Sequence, residues 1–125
     1  MNACIRAVVR TAVFHKLEIA GIMHGYDGMI NGEFISMNAK SVSGIIQRGG
    51  TILKTARSVE FMRKEGRNKA KQNLEKNNIE GVVAIGGDGT FKGALEFSRI
   101  CSIPFVGCPG TIDNDLIGTD FTIGY

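Results

Sequence analysis

The stretch Val82-Val83-Ala84-Ile85-Gly86-Gly87-Asp88-Gly89-Thr90 leaves this chain few ways to fold. Four apolar residues, three of them β-branched, predict a buried strand. Gly86, Gly87 and Gly89 then remove side chains where the backbone must turn and where a ligand must come close. From Phe91 to Cys101 the spacing is helical, with Phe91, Ala94, Leu95 and Ser98 on one face. The glycine turn is therefore expected at the carboxyl end of a strand and the amino end of a helix. Free N–H groups and partial positive charge collect there, which suits a phosphate. Asp88 is a hard oxygen ligand, suited to the Mg²⁺ that accompanies a nucleotide triphosphate. The same residues are also ordinary turn chemistry, and most such turns bind nothing. Neither a P-loop nor G-x-G-x-x-G is present: no Lys-Ser/Thr follows, and the sixth position counted from Gly87 is Lys92.

At 125 residues and 43% hydrophobic, the chain is at most one domain, with enough apolar material for a core. No apolar run is long enough to span a bilayer, and the first residues lack a secretory layout, so a soluble protein without a membrane partner is expected. Net charge is +3 and the isoelectric point about 8.9. The basic residues between Arg63 and Lys76 are interleaved with Glu65 and Glu75, which describes a solvated helix face, not a nucleic-acid surface. Cys4, Cys101 and Cys108 are odd in number and form no CxxC pair, which fits a reducing, cytoplasmic compartment.

Residues 3–16 read as a helix with Ile5, Val8, Val9, Ala12 and Val13 as its apolar stripe and Asn2 as its cap. Arg6 and Arg10 lie one turn apart on another face. Two guanidiniums so spaced can grip a phosphate, although spacing alone favours solvated side chains. Leu17 to Met23 reads as a strand, followed by a loop over His24–Gly28. Tyr26 in that loop is placed to stack on a base or to pack on the sheet edge, and His24 reads as a turn or core residue. Ser41 to Gln47 reads as a short helix, and Ile52-Leu53 as a short strand or extended loop. Thr55-Ala56-Arg57-Ser58 offers an arginine and two hydroxyls. Phe61 to Asn77 reads as mostly helical, with Ala70 and Leu74 inward and Asn77-Asn78 as its end. Pro104–Gly107 is another short buried strand, so residues 79–107 form one βαβ unit and imply a parallel sheet.

The segment Pro109-Gly110-Thr111-Ile112-Asp113-Asn114-Asp115 follows that strand, with Asp120 beyond. It is expected at the same sheet edge as the glycine turn, where open parallel sheets bind ligands. Asp88, Asp113 and Asp115 are then expected to converge. Clustered carboxylates repel unless a cation or a shared proton relieves them. The opening helix lacks the strand that should precede it, and the last residues have nothing after them to cover them. Both features suggest a piece of a larger domain.

In the order MNACIRAVVR, HGYDG, RGGTILKTAR, GGDGTF and PGTIDND followed by GTDFTIG, the whole chain resembles the bacterial-type ATP-dependent 6-phosphofructokinases. GGDGT occurs in other kinases too; GGDGT followed by PGTIDND is specific to this family. The resemblance implies an α/β fold with a parallel sheet flanked by helices, a Rossmann-like three-layer arrangement, here as an incomplete N-terminal, ATP-binding domain spanning 1–125. It implies ATP phosphates on Gly87, Asp88, Gly89 and Thr90, with Asp88 near Mg²⁺, and nucleotide contacts from Tyr26, Arg57 and Ser58. It places Thr111, Asp113 and Asp115 at fructose 6-phosphate, with Asp113 as the base. Arg6 and Arg10 match arginines that bind the phosphates of an allosteric nucleotide or phosphate effector, which reverses the reading from spacing. A cytoplasmic homotetramer is implied for the parent protein.

Pyrophosphate-using relatives tend to carry an acidic residue where Gly89 stands and a lysine where Gly110 stands. Both are glycine here, which favours ATP over a pyrophosphate-dependent enzyme. Further alternatives are a kinase for a different acceptor, a nucleotide-binding regulatory module without chemistry, and an NAD or lipid kinase, which the TIDND run argues against. The family's first strand and its glycine loop are absent, as is everything after the TIDND region, so the isolated chain is expected to be nearly inactive. Gly44 stands where bacterial members usually have an effector-site aspartate, which departs from the usual regulation.

Overall fold

The computed structural model describes all 125 residues, Met1 to Tyr125. They divide into two compact units, Asn2–Asn78 and Ile79–Tyr125, the latter taking in Met1 as well.

The first unit opens with helix α1 over Asn2–Phe14. Its stripe is buried only in the first half. Cys4, Ile5 and Val9 are enclosed, whereas Val13 is exposed. Asn2 is not the cap the sequence suggests. Its amide is buried and spans a different part of the chain. Its Nδ2 donates to the carbonyls of Ile45 (3.1 Å) and Arg48 (3.2 Å), and its Oδ1 accepts from the Ile52 amide (2.9 Å). The Ile45–Ile52 loop has no secondary structure to satisfy these groups, so one side chain does it. The Asn2→Ala variant should lose on the order of 2 kcal/mol, because the part-buried Arg48 carbonyl and Ile52 amide lose their side-chain partner, while the Ile45 carbonyl keeps the Arg48 amide. A thermal melt of the full-length protein with an unshifted midpoint would contradict this.

Lys16, at φ 58°, ends the helical run and turns the chain into strand β1 over Ile19–Ile22. Helix α2 follows over Gly25–Asn31, where the sequence suggested a loop. Gly28 makes it possible: a Cβ there would run into the Met23 carbonyl, so two turns of chain close on one another only at a glycine. Strand β2, Phe34–Met37, pairs antiparallel with β1, Ile19 opposite Met37 and Ile22 opposite Phe34. The sequence reading did not anticipate this strand.

The expected helix over 41–47 is a single 3₁₀ turn over Ala39–Val42. Asn38 caps it by accepting from the amides of Lys40 and Ser41, and Gly44 at φ 68° prevents its continuation. Ile52-Leu53 forms turn, not strand. The long helix is interrupted. A 3₁₀ turn over Glu60–Met62 is followed by an extended Arg63, and helix α3 runs over Lys64–Lys76. Ala70 and Leu74 are fully buried, as their spacing predicts, and Asn77 and the left-handed Asn78 end the helix. Asn73 on α3 donates from Nδ2 to the carbonyls of Met29 (3.0 Å) and Ile30 (2.7 Å). These are orphan groups at the end of α2, and the bond fixes α2 against α3.

The second unit is the predicted βαβ unit. Strand β3, Val82–Gly86, and strand β4, Phe105–Pro109, pair in parallel, with helix α4 over Asp88–Ser98 between them. The helix begins three residues earlier than Phe91 and is turned by about one residue from the expected face. Phe97 and Cys101 are the enclosed side chains, while Leu95 is exposed. Phe97 meets Phe105 of β4 edge to face at 5.6 Å, which seats α4 on the pair. No helix of the chain is long and apolar enough to cross a membrane.

Candidate active site

The site is built where β3 and β4 end. In the parallel register Gly86 lies opposite Pro109, and the next amide, Gly110 N, donates to the Gly86 carbonyl at 2.9 Å. The ladder thus carries one bond past the last paired residues and ties the glycine turn to the TIDND segment. A Cβ on Gly87 would stand 3.2 Å from the Thr111 Cβ. The two turns are in contact at one sheet edge, as the order of strands predicted.

None of Gly86, Gly87 or Gly89 has a positive φ. Their use is steric. Gly86 leaves room for the Thr90 side chain, which closes back over it, and Gly87 leaves room for Thr111. Gly89 faces open space, with nothing within 4 Å of a Cβ built there.

Asp88, Gly89 and Thr90 belong to the first turn of α4, and Gly87 is its N-cap, with no side chain bonded to the turn. Gly87 brings no side chain to cap the leading amides of this eleven-residue helix, and its own Cα faces Thr111. The Asp88 carboxylate meets Lys92 Nζ one turn on at 2.8 Å. The hydrogen bond and charge of Asp88 raise the Lys92 ammonium above its ordinary value. A raised lysine contributes only while protonated, so on the alkaline side the pair is lost as the pH rises through the raised lysine value. Both side chains are solvated, so this link is weak and yields to a competing cation.

Asp88, Asp113 and Asp115 were expected to converge, and they form no three-ligand metal cluster. No three metal-ligating side chains gather anywhere in the chain. Asp88 is engaged along its own helix by Lys92, while Asp113 and Asp115 are exposed on either side of Asn114, whose φ of 51° reverses the chain between them. One exposed carboxylate still fits Mg²⁺ when phosphates and water supply the other ligands.

The TIDND turn is held by residues that the sequence reading did not single out. Asn114 Oδ1 accepts from the Thr122 amide (2.9 Å), and its Nδ2 donates to the Asp120 carbonyl (3.2 Å). Thr122 is buried and its hydroxyl donates to the Thr111 carbonyl at 2.5 Å. Ile123 N donates to Pro109 O at 2.7 Å, so the GTDFTIG stretch folds back under the turn. Within the turn the Asp113 amide donates to Thr111 Oγ1 at 3.2 Å. The Asp113 carboxylate is thereby presented to solvent from a braced backbone. The one legible signal for Asn114 was its type, since asparagine tolerates the left-handed conformation.

The remaining predicted residues lie in the first unit. Tyr26 is on α2, one ring face stacked on Phe61 at 3.9 Å and nearly parallel. Ser58 Oγ accepts from the Phe61 amide at 3.1 Å, starting the 3₁₀ turn, and Arg57 is exposed just before it. Arg6 is half-buried and Arg10 exposed on α1, away from its buried stripe.

A family model described as phosphofructokinase matches residues 1–125. The ATP-dependent 6-phosphofructokinase of Cytophaga hutchinsonii is 62% identical over 125 residues, which is all of this chain and 38% of that protein. ATP-dependent 6-phosphofructokinase 1 of Thermus thermophilus is 59% identical over the same length, 39% of its own. The chain thus spans under two fifths of the length of these relatives. Among solved structures, Pichia pastoris phosphofructokinase in the T-state superimposes with a TM-score of 0.92 at 36% identity, covering 99% of this chain and 15% of that one. Phosphofructokinase from Saccharomyces cerevisiae gives 0.91, also at 36% identity, over 99% of this chain and 20% of its own.

Proposed function

The chain belongs to the phosphofructokinase family, and on that premise we propose that it is the amino-terminal, ATP-binding part of a longer parent that moves the γ-phosphoryl of ATP to the 1-hydroxyl of fructose 6-phosphate. The observation that carries this reading is the contact between the glycine turn and the TIDND turn at one sheet edge. A phosphoryl group held at the first turn of α4 would then lie beside the segment bearing Asp113.

The roles follow from the groups present. The amides of Gly87, Asp88, Gly89 and Thr90 bind phosphate oxygens at the helix amino end. Asp88 would hold Mg²⁺, which when bound neutralises phosphate charge. Tyr26, Arg57 and Ser58 are assigned to the nucleotide, and Thr111 and Asp115 to the sugar phosphate. Asp113 accepts the proton of the 1-hydroxyl as its oxygen bonds to the γ-phosphorus and ADP leaves. Such transfers depend on position and charge more than on covalent help from the protein. Arg6 and Arg10 are assigned to a phosphate-bearing effector, in a cytoplasmic homotetrameric parent. The isolated chain, with most of the sugar-phosphate residues of the family outside it, is proposed to be nearly inactive.

ATP is favoured over pyrophosphate by two glycines. Gly89 has open space around it, available to a nucleotide phosphate. Gly110 is buried, and a Cβ there would come within 2.7 Å of Ile85 Cγ2, so a lysine does not fit without displacing β3 packing. Assaying the full-length parent on fructose 6-phosphate with ATP and with pyrophosphate tests the reading. Turnover with ATP alone is expected; turnover only with pyrophosphate, or binding of Mg-ATP with no transfer, would replace it with one of the alternatives. The Gly89→Asp variant should fold normally, since nothing is near its Cβ and an acidic residue suits a helix's first turn. Its carboxylate would repel the phosphates, and the KM for ATP should rise about tenfold. An unchanged KM would remove Gly89 from the phosphate site.

A further inference from the structure

The Asp113 carboxylate has no anchor of its own. It is exposed, it stands in no ion pair, and it lies in a segment that is neither helix nor strand. Its place is therefore inherited from the backbone on either side. One residue holds both sides. The Thr122 hydroxyl donates to the Thr111 carbonyl, two positions before Asp113, at 2.5 Å. The Thr122 amide donates to Oδ1 of Asn114, the residue after Asp113, at 2.9 Å. Thr122 is the one buried polar side chain of its unit, at 5% exposed.

The seat of Thr122 is itself fixed. Ile123 N donates to Pro109 O at 2.7 Å. A Cβ on Gly124 would strike the carbonyls of Gly110 and Thr111, so the returning chain lies this close to the end of β4 only with glycine there. Valine has nearly the shape of threonine and lacks only the hydroxyl donor, which is the part of the side chain that reaches Thr111.

We propose that Thr122 is a positioning residue for the transfer: by holding Thr111 and Asn114 together it fixes the backbone from which the Asp113 carboxylate meets the hydroxyl it deprotonates. This rests on the reading of Asp113 as the base. Thr122 acts through Asp113 and touches no substrate. A displacement of about 1 Å in a reacting group costs on the order of a hundredfold in rate.

The test is a double-mutant cycle in the full-length parent, with steady-state kinetics and thermal melts of Thr122→Val, Thr122→Ser, Asp113→Ala and the Thr122→Val, Asp113→Ala pair. Thr122→Val should lower kcat about ten- to hundredfold and leave the KM for fructose 6-phosphate within about threefold. Thr122→Ser keeps the donor and should stay within about threefold of the parental kcat. In the Asp113→Ala background, Thr122→Val should change kcat by less than about twofold, because no base remains to be misplaced. A merely structural role lowers the melting temperature in both backgrounds, and Asp113→Ala does not erase its effect on kcat. Should Thr122→Val fail to fold, Asn114→Gly carries the same kinetic expectation. Glycine accepts the φ of 51° freely there and removes both side-chain bonds of the brace. An unchanged kcat in Thr122→Val, a serine variant as slow as the valine one, or the same proportional loss in both backgrounds overturns the proposal. A raised KM with kcat intact overturns it too and assigns the brace to substrate binding by Thr111. The base reading survives each of these results as long as Asp113→Ala itself loses turnover; parental turnover in Asp113→Ala overturns that reading and the proposal with it.

Discussion

Asp113→Ala in the full-length parent is expected to lower kcat by about 10²- to 10⁴-fold and to move the KM for fructose 6-phosphate by no more than a few-fold. That range is what a positioned general base contributes. The side chain can be removed cleanly. Asp113 is exposed, and its bond inside the turn is made by its backbone amide to Thr111 Oγ1, so alanine preserves it. The braces of the turn come from Asn114 and Thr122 and do not involve the Asp113 carboxylate. Lost turnover with an unchanged melting temperature would therefore report chemistry. Asp113→Asn should lose as much, since the amide matches the carboxylate in shape and cannot accept the proton. A fall of less than about tenfold in either variant would assign the base elsewhere.

Phe97→Ala is expected to cost about 3–5 kcal/mol, the range for emptying an aromatic site in a core. Phe97 is fully buried, and within its unit only Cys101 among the other apolar side chains is comparably enclosed. The ring joins α4 to β4 through Phe105, so its loss leaves a cavity under the helix whose first turn carries Asp88. Phe97→Leu refills most of that volume and should cost less than half as much. A denaturation midpoint for Phe97→Ala within about 1 kcal/mol of the parent would mean that α4 is held by something else. ATP affinity should fall along with stability in the alanine variant, because the amides at the amino end of α4 move with the helix.

The parts of this fold that were legible in the sequence are those fixed by short-range chemistry. Val82–Ile85 could be read as a strand because four apolar residues, three of them β-branched, run straight into glycines, and the parallel pairing followed from the helix that separates it from Phe105. Ala70 and Leu74 were placed correctly by helical spacing. Helix α2 was hidden because its two glycines read as loop, while Gly28 is there to admit the Met23 carbonyl, a contact no local pattern displays. Strand β2 was hidden because Ile35 is exposed and Phe34 only half-buried, so no clean alternation marks it. On α4 the spacing gave a helix but not its orientation, since Leu95 and Phe97 are both apolar and only the neighbouring Phe105 decides between them.

The site divides in the same way. The adjacency of Gly87 and Thr111 was implied by parallel register, because both follow strands that end at the same edge. The three carboxylates were expected to converge from sheet topology alone, which fixes where backbones go and not where side chains turn. Asp88 is paired with Lys92 along its own helix, Asn114 is left-handed between Asp113 and Asp115, and the three form no metal-ligating cluster. The bracing by Thr122 links residues eight to eleven positions apart and became visible only once the chain was seen to fold back.

The most direct test is the position of the sugar in a complex of the full-length parent with Mg-ADP and fructose 6-phosphate. The 1-hydroxyl is predicted to lie within about 3 Å of an Asp113 carboxylate oxygen, with the ADP phosphates on the amides of Gly87 to Thr90. A 1-hydroxyl facing a different base, or phosphates bound away from that first helical turn, would contradict the account.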